Sequence, residues 1–283
     1  MDFLLKTPDR VAFTVFGIDI MWYGLLIGIG MVVAVVLSYR RAPKHGLNSE
    51  RVLDVVLWSI PAGVIGARLY YVVFQWDYYK DHLKSILNIR EGGLAIHGGI
   101  LVGVGLGAIL LWKVWKEDVL AYVDLCIPTI ALAQAIGRWG NYFNQEAYGR
   151  ETTLPWAMMV NGKFVHPTFL YESIWCLLLG CFLIWLADSR RQKFKGQILC
   201  LYLILYSVER FFVEGLRTDS LMIGPLRQAQ VISFVLFAAG CVLWVILSRR
   251  NTQAAAGPGE ATEETGQPEG GQEYRGRSET DEV

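Results

Sequence analysis

Ionisable residues are scarce in this chain, and the common catalytic signatures are missing. Charged side chains make up 18% of the 283 residues, below the roughly 25% of soluble domains. Hydrophobic residues make up 53%, and the mean hydropathy is +0.35. That balance excludes a large soluble domain and indicates an integral membrane protein. The 26 basic and 26 acidic residues cancel, so gross charge points to no partner. With no basic face or aromatic–basic module, nucleic acid is not expected as one. No His-Glu-x-x-His, Gly-x-Ser-x-Gly or P-loop occurs, which removes the zinc-protease, serine-hydrolase and nucleotide-binding chemistries. The five cysteines (Cys126, Cys176, Cys181, Cys200, Cys241) all lie in apolar stretches and form no Cys-x-x-Cys pair. They read as small buried hydrophobes, not as a disulfide framework, a nucleophile or metal ligands. No metal and no cofactor is expected.

What is present is a series of long apolar runs. Seven are expected to be helical spans, each near the roughly 20 residues that cross a bilayer. They cover about Ile18–Tyr39, Val52–Phe74, Gly93–Trp112, Val119–Ile136, Thr168–Ala187, Gly196–Glu214 and Gln228–Leu247. The fold class is therefore an all-α integral membrane protein with seven transmembrane helices. Met1–Asp19 lacks a basic run before an apolar core and does not read as a cleaved signal peptide. The turns after the first, third, fifth and seventh runs are dense in basic residues: Arg40, Arg41 and Lys44, then Lys113 and Lys116, then Arg190, Arg191, Lys193 and Lys195, then Arg249 and Arg250. The loop between the second and third runs mixes Lys80, Lys84 and Arg90 with Asp77, Asp81 and Glu91. By the positive-inside rule the N-terminus is outside and the C-terminus cytoplasmic. Residues 1–250 form one transmembrane domain. Residues 251–283, rich in Gly, Glu, Gln and Thr with almost no large apolar residue, are expected to be a disordered cytoplasmic tail.

This topology gathers polar groups at one depth. Tyr23, Arg68, His97, Arg138, the His166–Glu172 segment, Arg210, Glu214 and Arg217 all fall in the outer half of the bundle. Unpaired charge at that depth is expensive and marks a site. The densest stretch is Gly137-Arg138-Trp139-Gly140-Asn141-Tyr142-Phe143-Asn144-Gln145-Glu146-Ala147-Tyr148-Gly149. Continued as helix, it places Arg138, Asn141 and Asn144 or Gln145 on one face. Tyr206, Arg210 and Glu214 are likewise spaced i, i+4, i+8, with Arg217 three further on. Arginines on two helix ends facing one cavity suit a phosphate, because guanidinium groups fork onto its oxygens and stay charged when desolvated. His97 reads either as a buried structural group or as a proton acceptor. Arg68 reads either as a structural partner of a carboxylate or as a lipid head-group ligand. His45 and His82 read as surface residues, and His166-Pro167 as a turn into the fifth span. With no nucleophile of its own, the site suits arginine-assisted handling of a phosphorylated lipid.

These residues resemble a known family. The 137–149 stretch is similar to the signature of bacterial prolipoprotein diacylglyceryl transferases. Trp22-Tyr23-Gly24, Gly66-Ala67-Arg68, His97-Gly98-Gly99-Ile100, His166-Pro167-Thr168-Phe169-Leu170-Tyr171-Glu172 and Arg210-Phe211-Phe212-Val213-Glu214 match it in order. The resemblance covers about residues 18–247. It implies a multi-pass enzyme of the bacterial cytoplasmic (inner) membrane that moves the diacylglyceryl group of phosphatidylglycerol onto the lipobox cysteine of a preprolipoprotein signal peptide. Glycerol phosphate is released. It further implies that Arg138 and Arg210 hold the phosphodiester, Asn141 and Glu146 orient the head group or the arginines, and Glu214 and Tyr206 hold Arg210. Tyr23, Arg68, Asn144 and Arg217 complete the substrate-binding set, and His97 is the candidate base for the thiol, with Tyr23 or a carboxylate as alternatives. The chain departs from the pattern at Gly215-Leu216, where larger residues are expected, and in a short loop from Arg150 to Val165. Three other readings use the same residues: an anion transporter, which would show two related, interrupted halves; a phospholipid hydrolase, which needs a water-activating group; and a module that binds the signal peptide without lipid chemistry.

Overall fold

The computed structural model describes residues 8–88, 92–189 and 191–256. Arg90, Glu91, Arg190 and the predicted tail from residue 257 onward lie outside them. In chain order come strands β1 (Val11–Val15) and β2 (Ile18–Met21), helices α1 (Trp22–Arg41) and α2 (Ser49–Phe74), and the short α3 (Trp76–Tyr79). They are followed by α4 (Ile96–Ile109), α5 (Val119–Asn144), β3 (Met158–Val160), β4 (Lys163–Val165) and α6 (Thr168–Asp188). The described chain ends with α7 (Gln197–Leu216), β5 (Met222–Ile223), β6 (Leu226–Arg227) and α8 (Gln228–Ala256).

The structure is mostly helical, as expected of an all-α membrane protein, and among the described residues three two-stranded antiparallel hairpins decorate the helices. Ile18–Met21 is strand instead of the start of the first span. It pairs with β1 through a two-residue turn in which Phe16 and Gly17 both have positive φ, 51° and 76°. That is the turn whose twist matches paired strands. The β3–β4 turn, Asn161-Gly162, has φ of 49° and 78°. The Asn-Gly pair is the sequence signal that would have found this hairpin. The last helix runs to Ala256, past the boundary drawn at residue 250.

Among the described residues, six segments are long and apolar enough to cross a bilayer: Trp22–His45, Ser49–Phe74, Ile96–Val114, Val119–Asn144, Thr168–Asp188 and Gln228–Thr252. Helix α7 has similar length but carries Glu209, Arg210 and Glu214. Exposure is inverted relative to a water-soluble fold. Leu101 and Phe234 are 71% and 69% exposed, whereas Arg68, Asp124 and Glu172 are 7%, 5% and 2% exposed. A protein sheathed in lipid gains nothing by hiding leucine but must pair every buried charge.

Close packing falls into pairs: α1 on α5, α2 on α4, α5 on α6 and α7 on α8. The α2–α4 contact depends on missing side chains. A Cβ on Gly98 would lie 2.4 Å from the Gly66 carbonyl oxygen and 2.3 Å from Tyr70 Cβ. Small residues at such crossings let helix backbones approach in a membrane. At the opposite end of the bundle, Asp124 of α5 secures the start of α7. Its carboxylate accepts from the backbone N–H of Gly196 (2.6 Å) and of Leu199 (3.0 Å). Gly196 has no side chain with which to cap the helix itself, so a buried acid from another helix takes that role.

Gly98→Ala is expected to lower the thermal unfolding midpoint of detergent-solubilised protein, at a cost of about 1–3 kcal/mol for overpacking. Gly105→Ala on the same helix, where a Cβ meets nothing within 4 Å, is expected to leave the midpoint unchanged. Equal midpoints for the two variants would refute the packing account.

Candidate active site

The centre of the polar end of the bundle is Glu172, on the second turn of α6. Its carboxylate receives Arg210 from α7, whose Nη1 donates to Oε1 at 2.8 Å. Arg138 from α5 places Nε 2.9 Å from Oε2, off the hydrogen-bonding line. Arg138 also donates through Nη2 to the Tyr206 hydroxyl at 3.1 Å. Tyr206 stacks on Tyr202 with ring centroids 5.3 Å apart, and Tyr202 donates to Gln134 Oε1 at 2.8 Å. Gln134 and Arg138 of α5 thus meet Tyr202 and Tyr206 of α7, each pair one helical turn apart. On the other side, Arg210 Nη2 lies 2.5 Å from Glu214 Oε2, and Arg217 Nε lies 3.9 Å from the same oxygen. Arg217 then forks onto Asp219, both contacts at 3.0 Å. Burial alone would raise the Asp219 carboxyl, but the bonds and charge of Arg217 outweigh it and hold the group below the usual carboxylate range.

One pairing differs from the expectation. Tyr206 holds Arg138 instead of Arg210, and Glu172 joins Glu214 as the second acid on Arg210. Asn141 and Asn144 both donate to Glu146 Oε1, at 3.0 and 3.3 Å, so these three form their own cluster above Arg138. Helix α5 leaves its axis at Gln145, which adopts φ 53°. Gly140 provides room for Tyr23, whose Cδ2 would lie 2.6 Å from a Cβ there. Gly149 sits where three segments meet. Its N–H donates to the His166 carbonyl at 3.0 Å, and a Cβ would lie 2.7 Å from His166 Cβ and 3.2 Å from the Leu216 carbonyl oxygen. Next to this junction, Thr168 Oγ1 donates to the Ala147 carbonyl. The His166 imidazole lies 3.2 Å from the Tyr171 hydroxyl, and burial, reinforced by the Arg150 charge, lowers its pKa.

Arg68 does not join the network. All five of its N–H donors go to backbone carbonyls, of Ser85, Ile86, Asn88, Gly92 and Gly93, at 2.6–3.0 Å. It fastens the α3–α4 loop and has no donor left for a head group. Nor does the structure bring His97 to the arginines. His97 is exposed at the start of α4, and its ring neighbour among the described residues is Tyr70, at a centroid distance of 6.4 Å. Sequence reasoning had placed Glu172 at the right depth without giving it a role, and Glu209 had gone unremarked. An acid near the start of one apolar helix, facing arginines near the ends of two others, is the signal that identifies Glu172. Among the described residues, no group of three His, Cys, Asp or Glu side chains could hold a metal. The site can therefore present two permanently charged guanidinium groups, held at fixed spacing by one carboxylate, to an anion at the membrane boundary.

A family profile described as prolipoprotein diacylglyceryl transferase matches residues 10–246, which include every residue of the network above. The protein named phosphatidylglycerol–prolipoprotein diacylglyceryl transferase in Clostridioides difficile (strain 630) is 50% identical over 243 residues, 86% of this chain and 97% of that protein. Its namesake in Finegoldia magna is 48% identical over 237 residues, covering 84% and 95%. That of Geobacillus kaustophilus is 42% identical over 263 residues, covering 87% and 95%. Matches of this extent place the chain in the prolipoprotein diacylglyceryl transferase family.

Proposed function

We propose that this protein transfers the diacylglyceryl group of phosphatidylglycerol to the lipobox cysteine of a preprolipoprotein, the first step in lipoprotein maturation. The observation that carries the reading is the pair Arg138 and Arg210, brought from two helices onto the single buried carboxylate of Glu172. In the reaction the thiolate sulfur attacks the glycerol carbon that bears the phosphate, that C–O bond breaks, and the electron pair leaves with glycerol phosphate. Positive groups already in place where this charge develops are the most effective kind of stabilisation. Arg138 Nη1 and Arg210 Nε have no partner among the described residues and are the donors we assign to the phosphate. Tyr23, Asn141, Asn144, Glu146 and Arg217 border the same end of the bundle and form the rest of the head-group site. Tyr206 and Glu214 hold the arginines. His97, exposed and so reachable by a peptide, is assigned the thiol proton, because thiolate is the reactive form of cysteine.

The lipid needs a place for its chains. An apolar cavity of about 810 Å³ lies between α1, α2, α4 and α5, lined by residues such as Ile27, Val56, Gly103 and Ile130, and reaching Ala67 and Ile96. Its lining supports its use by acyl chains. The topology that fits is seven spans, with α7 crossing despite Glu209, Arg210 and Glu214, because Arg210 and Glu214 are paired within the network and Glu209 is buried. Basic residues concentrate at the end opposite the site, including Arg40, Lys44, Lys113, Lys193 and Arg249. By the positive-inside rule this supports an outward-facing site, an external N-terminus and a cytoplasmic C-terminus in the inner membrane. Residues 1–250 are then the catalytic domain.

Mass spectrometry of a lipobox peptide incubated with purified protein and phosphatidylglycerol should show a gain of one diacylglyceryl group on cysteine. Arg138→Ala and Arg210→Ala should each slow this on the order of 100- to 1,000-fold while remaining folded; near-normal turnover in either would sink the phosphate clamp. Glu172→Gln removes the acid that both arginines share. It is expected to slow transfer and to cost about 3–5 kcal/mol of stability, as when one partner of a buried ion pair is deleted. An unchanged unfolding midpoint would show that Glu172 is not the hub.

A further inference from the structure

Helix α7 carries one more buried acid that the mechanism above leaves unused. Glu209 is 7% exposed, and neither carboxylate oxygen has a hydrogen-bond or ion-pair partner among the described residues. It precedes Arg210 by one residue and follows Tyr206 by three. The ionisable groups whose fields reach it come from three helices: Arg138 of α5, Glu172 and Cys176 of α6, and Arg210 of α7 itself. Helix α8, packed along α7, adds none at this level. Its ionisable residues are Cys241, Arg249 and Arg250, and near Glu209 it faces α7 with Ser233, Phe234 and Phe237.

The surrounding charges already balance. Glu172 serves Arg138 and Arg210, Glu214 serves Arg210 and Arg217, and Asp219 takes the fork of Arg217. In this chain of ion pairs three guanidinium groups face three carboxylates, for a net charge of zero; a fourth guanidinium, Arg227, lies at its far end, where it donates to the Glu214 backbone carbonyl and does not face Glu209. An ionised Glu209 would be a fourth carboxylate with no cation of its own, buried and without hydrogen bonds, a state that proteins avoid by keeping the group protonated. A phosphodiester arriving at Arg138 and Arg210 brings one more negative charge. With Glu209 ionised the cluster would hold two uncompensated negative charges, and with Glu209 neutral it holds one.

We propose that Glu209 is a carboxylic acid whose neutral form admits the phosphodiester to the arginine pair, so that lipid binding is coupled to the protonation of one carboxylate. The inference rests on the phosphate-clamp reading. The sign follows from the charges: below the Glu209 titration the neutral acid predominates and lipid affinity is independent of pH. Above it, each lipid bound must draw one proton onto the carboxylate, and affinity falls. KM for phosphatidylglycerol should then rise about tenfold per pH unit on the alkaline side, as one-proton linkage requires, while kcat stays level across the same limb.

The test is the pH dependence of KM and kcat for the wild type and Glu209→Gln, which has nearly the same shape and is neutral at every pH. The expected result is a flat KM in the variant with kcat close to wild type. A second measurement does not depend on the variant folding: wild-type protein in weakly buffered detergent, titrated with phosphatidylglycerol on the rising limb of KM, should take up about one proton per lipid bound. The same KM slope in Glu209→Gln as in the wild type, a loss of kcat at unchanged KM, or no proton uptake by the wild type would each overturn the proposal. Arg138→Ala and Arg210→Ala separate the two levels of the argument. If neither weakens phosphatidylglycerol binding or slows transfer, the clamp itself has failed. If they do so while Glu209→Gln keeps the wild-type slope, only the role of Glu209 is lost.

Discussion

A single carboxylate, Glu172, holds guanidinium groups from two other helices at one end of the bundle, and much of the surrounding structure follows from that constraint. In lipid neither the acid nor the arginines tolerate isolation, so α5, α6 and α7 are committed to converge there. The ion pairs reach across 34 to 38 positions of sequence, and the Arg138–Tyr206 bond across 68. Such contacts do not make a buried ion pair a large net source of stability, since desolvation offsets much of the attraction. What they provide is geometry: removing any one partner leaves a buried charge unmatched.

The other half of the bundle is organised by the opposite device. Helices α2 and α4 meet through glycines where side chains would collide, and Arg68 spends all its donors on the loop that joins them. Between that pair and α1–α5 lies the apolar cavity. The bundle thus combines a charged, tightly tied end with an apolar cavity between its helices.

Much of this was legible in the chain. The Arg138 and Arg210 faces could be read from spacings of three and four, because helical periodicity is local. The hairpins were missed because apolar residues at the head of a long run, such as Ile18-Asp19-Ile20-Met21, look like helix until the pairing strand is known. Arg68 was ambiguous for a similar reason. A lone arginine in a span signals that something must satisfy it, but not whether that partner is a ligand or a loop 17 to 25 residues away.

By itself the sequence determined where along the chain the long apolar helices lie and, through its ordered motifs, the family. These properties depend on hydropathy, periodicity and residue identity along the chain. Only the tertiary structure decided who pairs with whom: Tyr206 with Arg138, Glu172 with both arginines, Arg68 with backbone carbonyls, and Glu209 with none of them. Those pairings depend on the rotation and depth of each helix against its neighbours, and these are set by close contacts such as Tyr23 on Gly140 and Gly98 on Gly66. No spacing within a single helix encodes them.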